Sequence, residues 1–277
     1  MKKTGFREDP FYPVQPFFVL NTEHYYKKQC EGLPVSHFYS FMAEKDNHYA
    51  NYVIPDNTVD ILFCCEKEDP SAFVCGSVSR QVEHEFCTGK EYFGVRFVPG
   101  TLKGFLKLSG SELMDNCIDL RELLGSDALL FSIAGAKSFQ ERIRVFQDFM
   151  EGELARREPE DSAIVDYMLK RIHESCGEIR LCDLSGEMQY SVQYIRRCFT
   201  ETVGMSPKKF CRQLRFQHAL KQINSGAFRN MAEISQEAGY YDQAHMLKEF
   251  QSCLGLSPAK YANIINLKGY GKQILYV

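Results

Sequence analysis

Gln193, Arg196 and Arg197 lie close together around two apolar residues, Ile195 and Phe199. On a helix those two apolar residues, four apart, share one buried face, which turns the three polar side chains outward. Arginine and glutamine are the donor-bearing types that pair with guanine and adenine edges. Further on, Lys208, Arg212 and Arg215 recur at i, i+4 and i+7. That spacing makes a basic flank that can meet phosphate, with a solvated face as the alternative.

Other reactive residue types are dispersed. The eleven cysteines are odd in number and scattered through a chain of 277 residues, long enough for a hydrophobic core. Free thiols in a reducing, cytoplasmic setting are expected. None of them, Cys64-Cys65 included, has an activating neighbour in sequence. His37, His48 and His84 form no His-x-His, and His84-x-x-Cys87 and His173-x-x-Cys176 each offer only two ligands. No metal and no cofactor are expected. Nucleophile elbow, phosphate loop and paired-carboxylate motifs are missing from the sequence, so no enzymatic activity is expected.

The outward polar triad needs a helix held by its neighbours, and an internal repeat supplies one. Phe199-Thr-Glu-Thr-Val-Gly204-Met-Ser206-Pro207-Lys-Lys209-Phe210 matches Phe250-Gln-Ser-Cys-Leu-Gly255-Leu-Ser257-Pro258-Ala-Lys260-Tyr261. Upstream, Leu184-Ser185-Gly-Glu187-Met188 pairs with Ile234-Ser235-Gln-Glu237-Ala238. Each copy predicts a short helix, a tight turn and a second helix starting at Ser191 or Asp242. Gly204 and Gly255 suit left-handed C-caps, and Ser206 and Ser257, each followed by Pro, suit N-caps. This is a helix-turn-helix arrangement, whose second helix fits the major groove. Two copies are too few for a self-supporting helical repeat.

With its closing Gly-Tyr240-Tyr-Asp242-Gln243-Ala244-His245-Met246-Leu-Lys248-Glu-Phe250, the pair of units resembles the AraC/XylS transcription regulators over about residues 160–266. The resemblance implies seven helices, with a long connecting helix here from about Pro207 to Asn224. It implies sequence-specific binding to double-stranded DNA, with recognition helices in successive major grooves about 34 Å apart. It also implies base-reading positions at Gln193, Arg196 and Arg197 in the first unit and at Ala244, Leu247 and Lys248 in the second. The first set is rich in donors. Ala244 and Leu247 can touch a thymine methyl but make no bidentate bonds, so the first unit is expected to supply most of the sequence choice.

Regulators of this type often carry a β-rich, cupin-like sensor domain for a small-molecule effector, and the N-terminal part fits that in outline. Strands are predicted at Phe17–Leu20, His37–Phe41, Asn51–Ile54, Val59–Phe63, Ala72–Cys75 and Phe93–Phe97, spaced as in an antiparallel sandwich or small barrel. Pro55-Asp56-Asn57-Thr58-Val59-Asp60 and Gly94-Val95-Arg96-Phe97-Val98-Pro99-Gly100 are similar to sensor domains of one branch. Arg96 in an apolar strand needs a partner. It binds an anionic effector or pairs with Asp56 or Asp60, and the structural pairing is preferred.

The period then changes. Leu102, Phe105, Leu106 and Leu108 begin a helical stretch, and Ser111 with Glu112 can cap the next helix. Residues 137–157 form the longest helical pattern, with Phe139, Ile143, Phe146, Met150 and Leu154 in a stripe widened by Val145 and Phe149. That stripe either packs on its own domain or forms a homodimer seam. Arg156-Arg157-Glu158-Pro159-Glu160-Asp161 is polar and carries a helix breaker, which marks a domain boundary.

Charge follows the same division. Residues 160–277 hold 15 Lys and Arg against 12 Asp and Glu, whereas residues 1–159 hold 18 against 24. No apolar run is long enough to cross a bilayer, and the polar N-terminus does not resemble a secretory signal. The expected class is α+β, with an antiparallel β-rich domain at 10–100 and a helical connector at 101–159. An all-α double helix-turn-helix domain at 160–266 and a tail at 267–277 complete it. The alternative is a β-barrel enzyme or small-molecule-binding protein fused to a helical DNA-binding or assembly module.

Overall fold

The computed structural model describes residues 13–20, 22–30, 34–44, 52–102, 106, 108–154, 163–226 and 230–277. His48, Phe105 and the expected boundary at 156–161 lie outside the described residues.

Runs of aromatic and β-branched residues form the strands β1 (Tyr25–Gln29), β2 (Val35–Met42), β3 (Tyr52–Val53), β4 (Val59–Cys64), β5 (Ser71–Cys75), β6 (Val82–Glu83), β7 (Glu91–Phe97), β8 (Cys117–Asp119) and β9 (Ile274–Tyr276). Among the described residues, seven of them make one sheet in the order β8-β5-β4-β7-β2-β1-β9, and β3 and β6 pair as a separate ribbon. The predicted sandwich or barrel is thus one broad sheet with β8 and β9 as its edges. Every pairing is antiparallel except that of β9 with β1. The last strand comes from the segment expected to be only a tail, so the chain's end is tied to its first strand.

Phe17–Leu20 is not a strand. It belongs to a short helix, α1 (Pro16–Leu20), whose five residues are all buried. A fully buried apolar run carries no period, and length alone does not separate strand from helix in so short a piece. Leu102, Leu106 and Leu108 are buried as expected, but no regular helix is described there. The next helix, α2 (Gly110–Leu113), is capped by Ser109 rather than Ser111. Ser109 accepts from the Glu112 N–H, and Glu112 accepts from the Ser109 N–H, a reciprocal capping box.

Alternation along the strands gives the sheet two different faces. Ile61, Phe63, Phe93, Val95 and Phe38 pack under α3 (Leu120–Leu124), α4 (Ala128–Gly135) and α5 (Phe139–Leu154). Phe146 of α5 sits edge-on to both Phe38 and Phe63, at 6.1 Å in each case. The stripe considered as a homodimer seam at 137–157 is therefore used within the protomer. Ile143, Phe146 and Met150 are buried in this core, and Phe139, Val145 and Phe149 pack against it. Hydrophobic periodicity reports that a face is covered, not which surface covers it. Ile143→Val should consequently lower stability by about 1 kcal/mol. Denaturant melts should give the same loss at every protein concentration. A loss that grows on dilution would restore the dimer seam.

The opposite face carries Tyr25, Tyr39, Phe41, Leu62 and Tyr92, together with Phe18 of α1. It also holds the charged groups Asp60 and Arg96, neighbours in the register of β4 and β7. Gly94 has a specific reason to be glycine. The Tyr39 ring lies across it, and a Cβ there would fall 2.0 Å from the ring.

Seven helices follow among the described residues: α6 (Ala163–Glu174), α7 (Leu181–Met188), α8 (Val192–Val203), α9 (Pro207–Ser225), α10 (Met231–Glu237), α11 (Gln243–Leu254) and α12 (Pro258–Lys268). They build two cores. Val165, Ile172, Leu184, Ile195, Phe199, Phe210 and Leu214 form one. Phe216, Leu220, Ile234, Met246, Phe250 and Tyr261 form the other, into which Phe17 and Ile54 of the N-terminal half also insert. The two halves meet along α9. Gln217 donates to Pro55 O at 2.8 Å and accepts from the Val14 N–H at 2.8 Å. Gln213 donates to Val78 O at 2.9 Å, and Asn57 donates to Phe210 O at 3.0 Å.

Candidate nucleic-acid interface

In the first unit, Ser191 caps α8 by accepting from the Tyr194 N–H, and Gly204 ends it in the left-handed conformation at φ 85°. Gly204 is needed for space as well. A Cβ on it would lie 2.0 Å from the Gly110 carbonyl oxygen, where α2 abuts the end of α8. Ile195 and Phe199 are fully buried, which fixes the helix's roll. Gln193, Arg196 and Arg197 are exposed on its other side, as expected. The preceding short helix is locked by Arg171, which pairs with Glu187 at 2.7 Å, while Tyr167 donates to the same carboxylate at 3.0 Å.

Aromatic residues missed in the sequence stand beside the triad. Tyr190 and Tyr194 are exposed, with ring centroids 5.2 Å apart. The Arg197 guanidinium lies 5.5 Å from the Tyr194 ring, and its Nε is 3.9 Å from Glu201. These are weak, solvent-screened tethers that leave the guanidinium available to another partner. An outward tyrosine on a helix has no periodicity signal of its own, though its nearness to the arginines was readable.

The second unit repeats the plan. Asn230 caps α10 by accepting from the Ala232 and Glu233 N–H groups, and Asp242 caps α11 by accepting from the His245 N–H at 2.7 Å. Met246 and Phe250 are buried, while Ala244, Leu247 and Lys248 are exposed. Tyr241, immediately before the cap, is 93% exposed. A large aromatic left that open at the start of a helix is unusual for a folded surface.

The basic flank on α9 divides. Lys208 is exposed, and Arg212 is half-buried. Arg215 turns inward. It donates to Gly177 O at 2.9 Å, pairs with Glu249 at 3.2 Å and lies 5.6 Å from the Tyr240 ring. The three share one stripe, but Arg215 stands about two turns beyond Lys208, at the level where Glu249 of α11 packs against α9. Arg215 therefore joins the two units, and of the three only Lys208 is exposed.

Residues 184–264 match the family described as a helix-turn-helix domain, and residues 34–119 match a domain of unknown function, DUF6597. The C-terminal part is an AraC-type helix-turn-helix domain. The DUF6597 match runs from β2 through β8. The chain is similar to the uncharacterized HTH-type transcriptional regulator YisR of Bacillus subtilis (strain 168). The two are 29% identical over 86 residues, which is 31% of this chain and 30% of that protein. The Msm operon regulatory protein of Streptococcus mutans is 25% identical over 118 residues, 42% of each chain. The matches span less than half the length of these relatives. Among solved structures, ToxT from Vibrio cholerae O395 is 13% identical, with a TM-score of 0.42 over 82% of this chain and 96% of that one. Among the described residues, no helix is long and apolar enough to cross a membrane. No group of three or more His, Cys, Asp or Glu among them could hold a metal ion.

Proposed function

We propose that the protein is a sequence-specific regulator of transcription that binds double-stranded DNA through both helix-turn-helix units and senses a small molecule through its N-terminal half. The observation that carries this reading is the exposed, donor-rich face of α8, fixed by a cap at each end and by two fully buried side chains. Gln193, Arg196 and Arg197 read base edges in the major groove. Ala244, Leu247 and Lys248 lie against the groove in the second unit, Lys208 binds phosphate, and Arg212 approaches it along the same helix. With 19 residues, α9 is about 28 Å long. That is close to the spacing of successive major grooves. The two relatives, one named as an HTH-type transcriptional regulator and the other as an operon regulatory protein, support the same reading.

The effector site we assign is a cavity of about 120 Å³ on the face of the sheet that carries Asp60 and Arg96, lined by Gln15, Phe18, Tyr39, Asp56, Asp60 and Arg96 among others. Apolar walls with a few convergent polar groups suit a small organic ligand. The loop carrying Asp56 also carries Asn57, which is bonded to α9, so a ligand that moves the loop also moves the DNA-binding half.

Selection of bound fragments from random double-stranded DNA with the full chain tests the reading. A defined motif is expected, and retention of unenriched sequence would contradict it. Leu247→Arg in the same selection should rewrite one part of the motif, whereas Leu247→Ala should cost about 1 kcal/mol at most and leave the motif recognisable. Identical motifs from all three proteins would mean that Leu247 does not face the groove.

A further inference from the structure

Cys75 closes β5 and Cys117 opens β8, and the antiparallel register sets them directly opposite one another. Partners in such a register have Cα atoms about 4.5–5.5 Å apart, within the ~4.4–6.8 Å that a disulfide bridges. Both are free thiols and both line the cavity faced by Asp60 and Arg96. The two differ in setting. Cys117 is exposed and Cys75 is half-buried. Interaction between the two neighbouring thiols pushes Cys75 up and holds Cys117 below the ordinary thiol value. Burial does the reverse to other thiols, pushing Cys65 up to about 12 and Cys211 and Cys253 up to about 11.

We propose that Cys75 and Cys117 form a reversible dithiol–disulfide couple that is oxidised by hydrogen peroxide. Cys117, as the thiolate, attacks one peroxide oxygen. The O–O bond breaks, the departing hydroxide takes up a proton to become water, and Cys117 is left as the sulfenic acid. Cys75 loses its proton and attacks the Cys117 sulfur. The S–S bond forms as the S–O bond breaks, and the second hydroxide takes that proton and leaves as water. Two thiols have lost two electrons and two hydrogens, and one peroxide has become two waters. A cellular dithiol or thiol reverses the step by exchange.

The couple sits at the root of the segment that holds the DNA-binding half. Directly beyond it, the Gly76 N–H donates to Asn116 O at 3.0 Å, and the Asp115 N–H donates to Ser77 O at 3.1 Å. Ser77 and Val78 then meet Gln213 of α9. A covalent tie at 75–117 therefore stiffens the strap against which α9 rests. This consequence rests on the regulator reading, whereas the oxidation itself does not.

The test treats the reduced full chain with hydrogen peroxide, blocks remaining thiols by alkylation and maps peptides by mass. A linked pair containing Cys75 and Cys117, lighter by two hydrogens and lost on reduction, is the expected product. In Cys75→Ser the link should vanish, and dimedone should capture Cys117 as a sulfenic acid. Full alkylation of both cysteines after peroxide would overturn the proposal, as would a link formed preferentially between other cysteines. DNA retention by the reduced chain is measured beside it. A chain that forms the link but never retains DNA would refute the regulator reading and leave the couple standing.

Discussion

Asp60→Ala should destabilise the protein by about 3–5 kcal/mol, the cost of leaving a buried charge without its partner. Arg96 is 2% exposed, and its Nε and Nη2 donate to the two Asp60 oxygens at 2.8 and 2.6 Å. Asp56 gives the same guanidinium a longer contact at 3.5 Å, and Tyr39 donates its hydroxyl to Asp60 at 2.7 Å. Asp56 has its own partners, Gln15 and the Thr58 N–H, so it is not free to turn and replace Asp60. The substitution removes both strong acceptors from Arg96 and the acceptor from Tyr39 at once. Urea titration measures the loss. A change under about 1 kcal/mol would show that Arg96 reaches water or another acid when Asp60 is gone.

Replacing Arg196 and Arg197 together by alanine should weaken binding to the preferred DNA site by about 2–6 kcal/mol, taking roughly 1–3 kcal/mol for each base-reading contact. Each single change should relax preference at a base position, and stability should hold because both side chains are exposed. Lys208→Ala gives the contrasting pattern. It should weaken all sequences alike and make binding less sensitive to salt. Titrating specific and random DNA with each variant separates the two roles. Equal losses on both DNAs from the arginine variant would reassign these residues to phosphate.

Much of the helical half was legible because its signals are local. Ser191, Gly204, Ser206, Asp242, Gly255 and Ser257 act as the caps their types announced. The repeat then confirmed each unit against the other. Ile195, Phe199, Met246 and Phe250 gave the buried faces directly, and the exposed triad followed by geometry. Less local features were harder to read. The register that joins β9 to β1, or Cys75 to Cys117, spans the chain or depends on strand order, which no window of sequence encodes. Arg215 looked like its neighbours until the packing of α11 against α9 set its partner. Arg96 was legible in part, since a charge in an apolar strand demands a counter-charge, and Asp60 lies opposite it once β4 and β7 pair.

Footprinting of the full chain on a selected site measures the central claim most directly. Two units joined by one rigid helix predict two protected major-groove tracts on one face of the duplex, about 10 base pairs apart. The tract read by α8 should be lost in the Arg196→Ala/Arg197→Ala variant while the other persists at higher protein concentration. A single tract, or protection that follows the backbone with no preferred position on the DNA, would contradict the account.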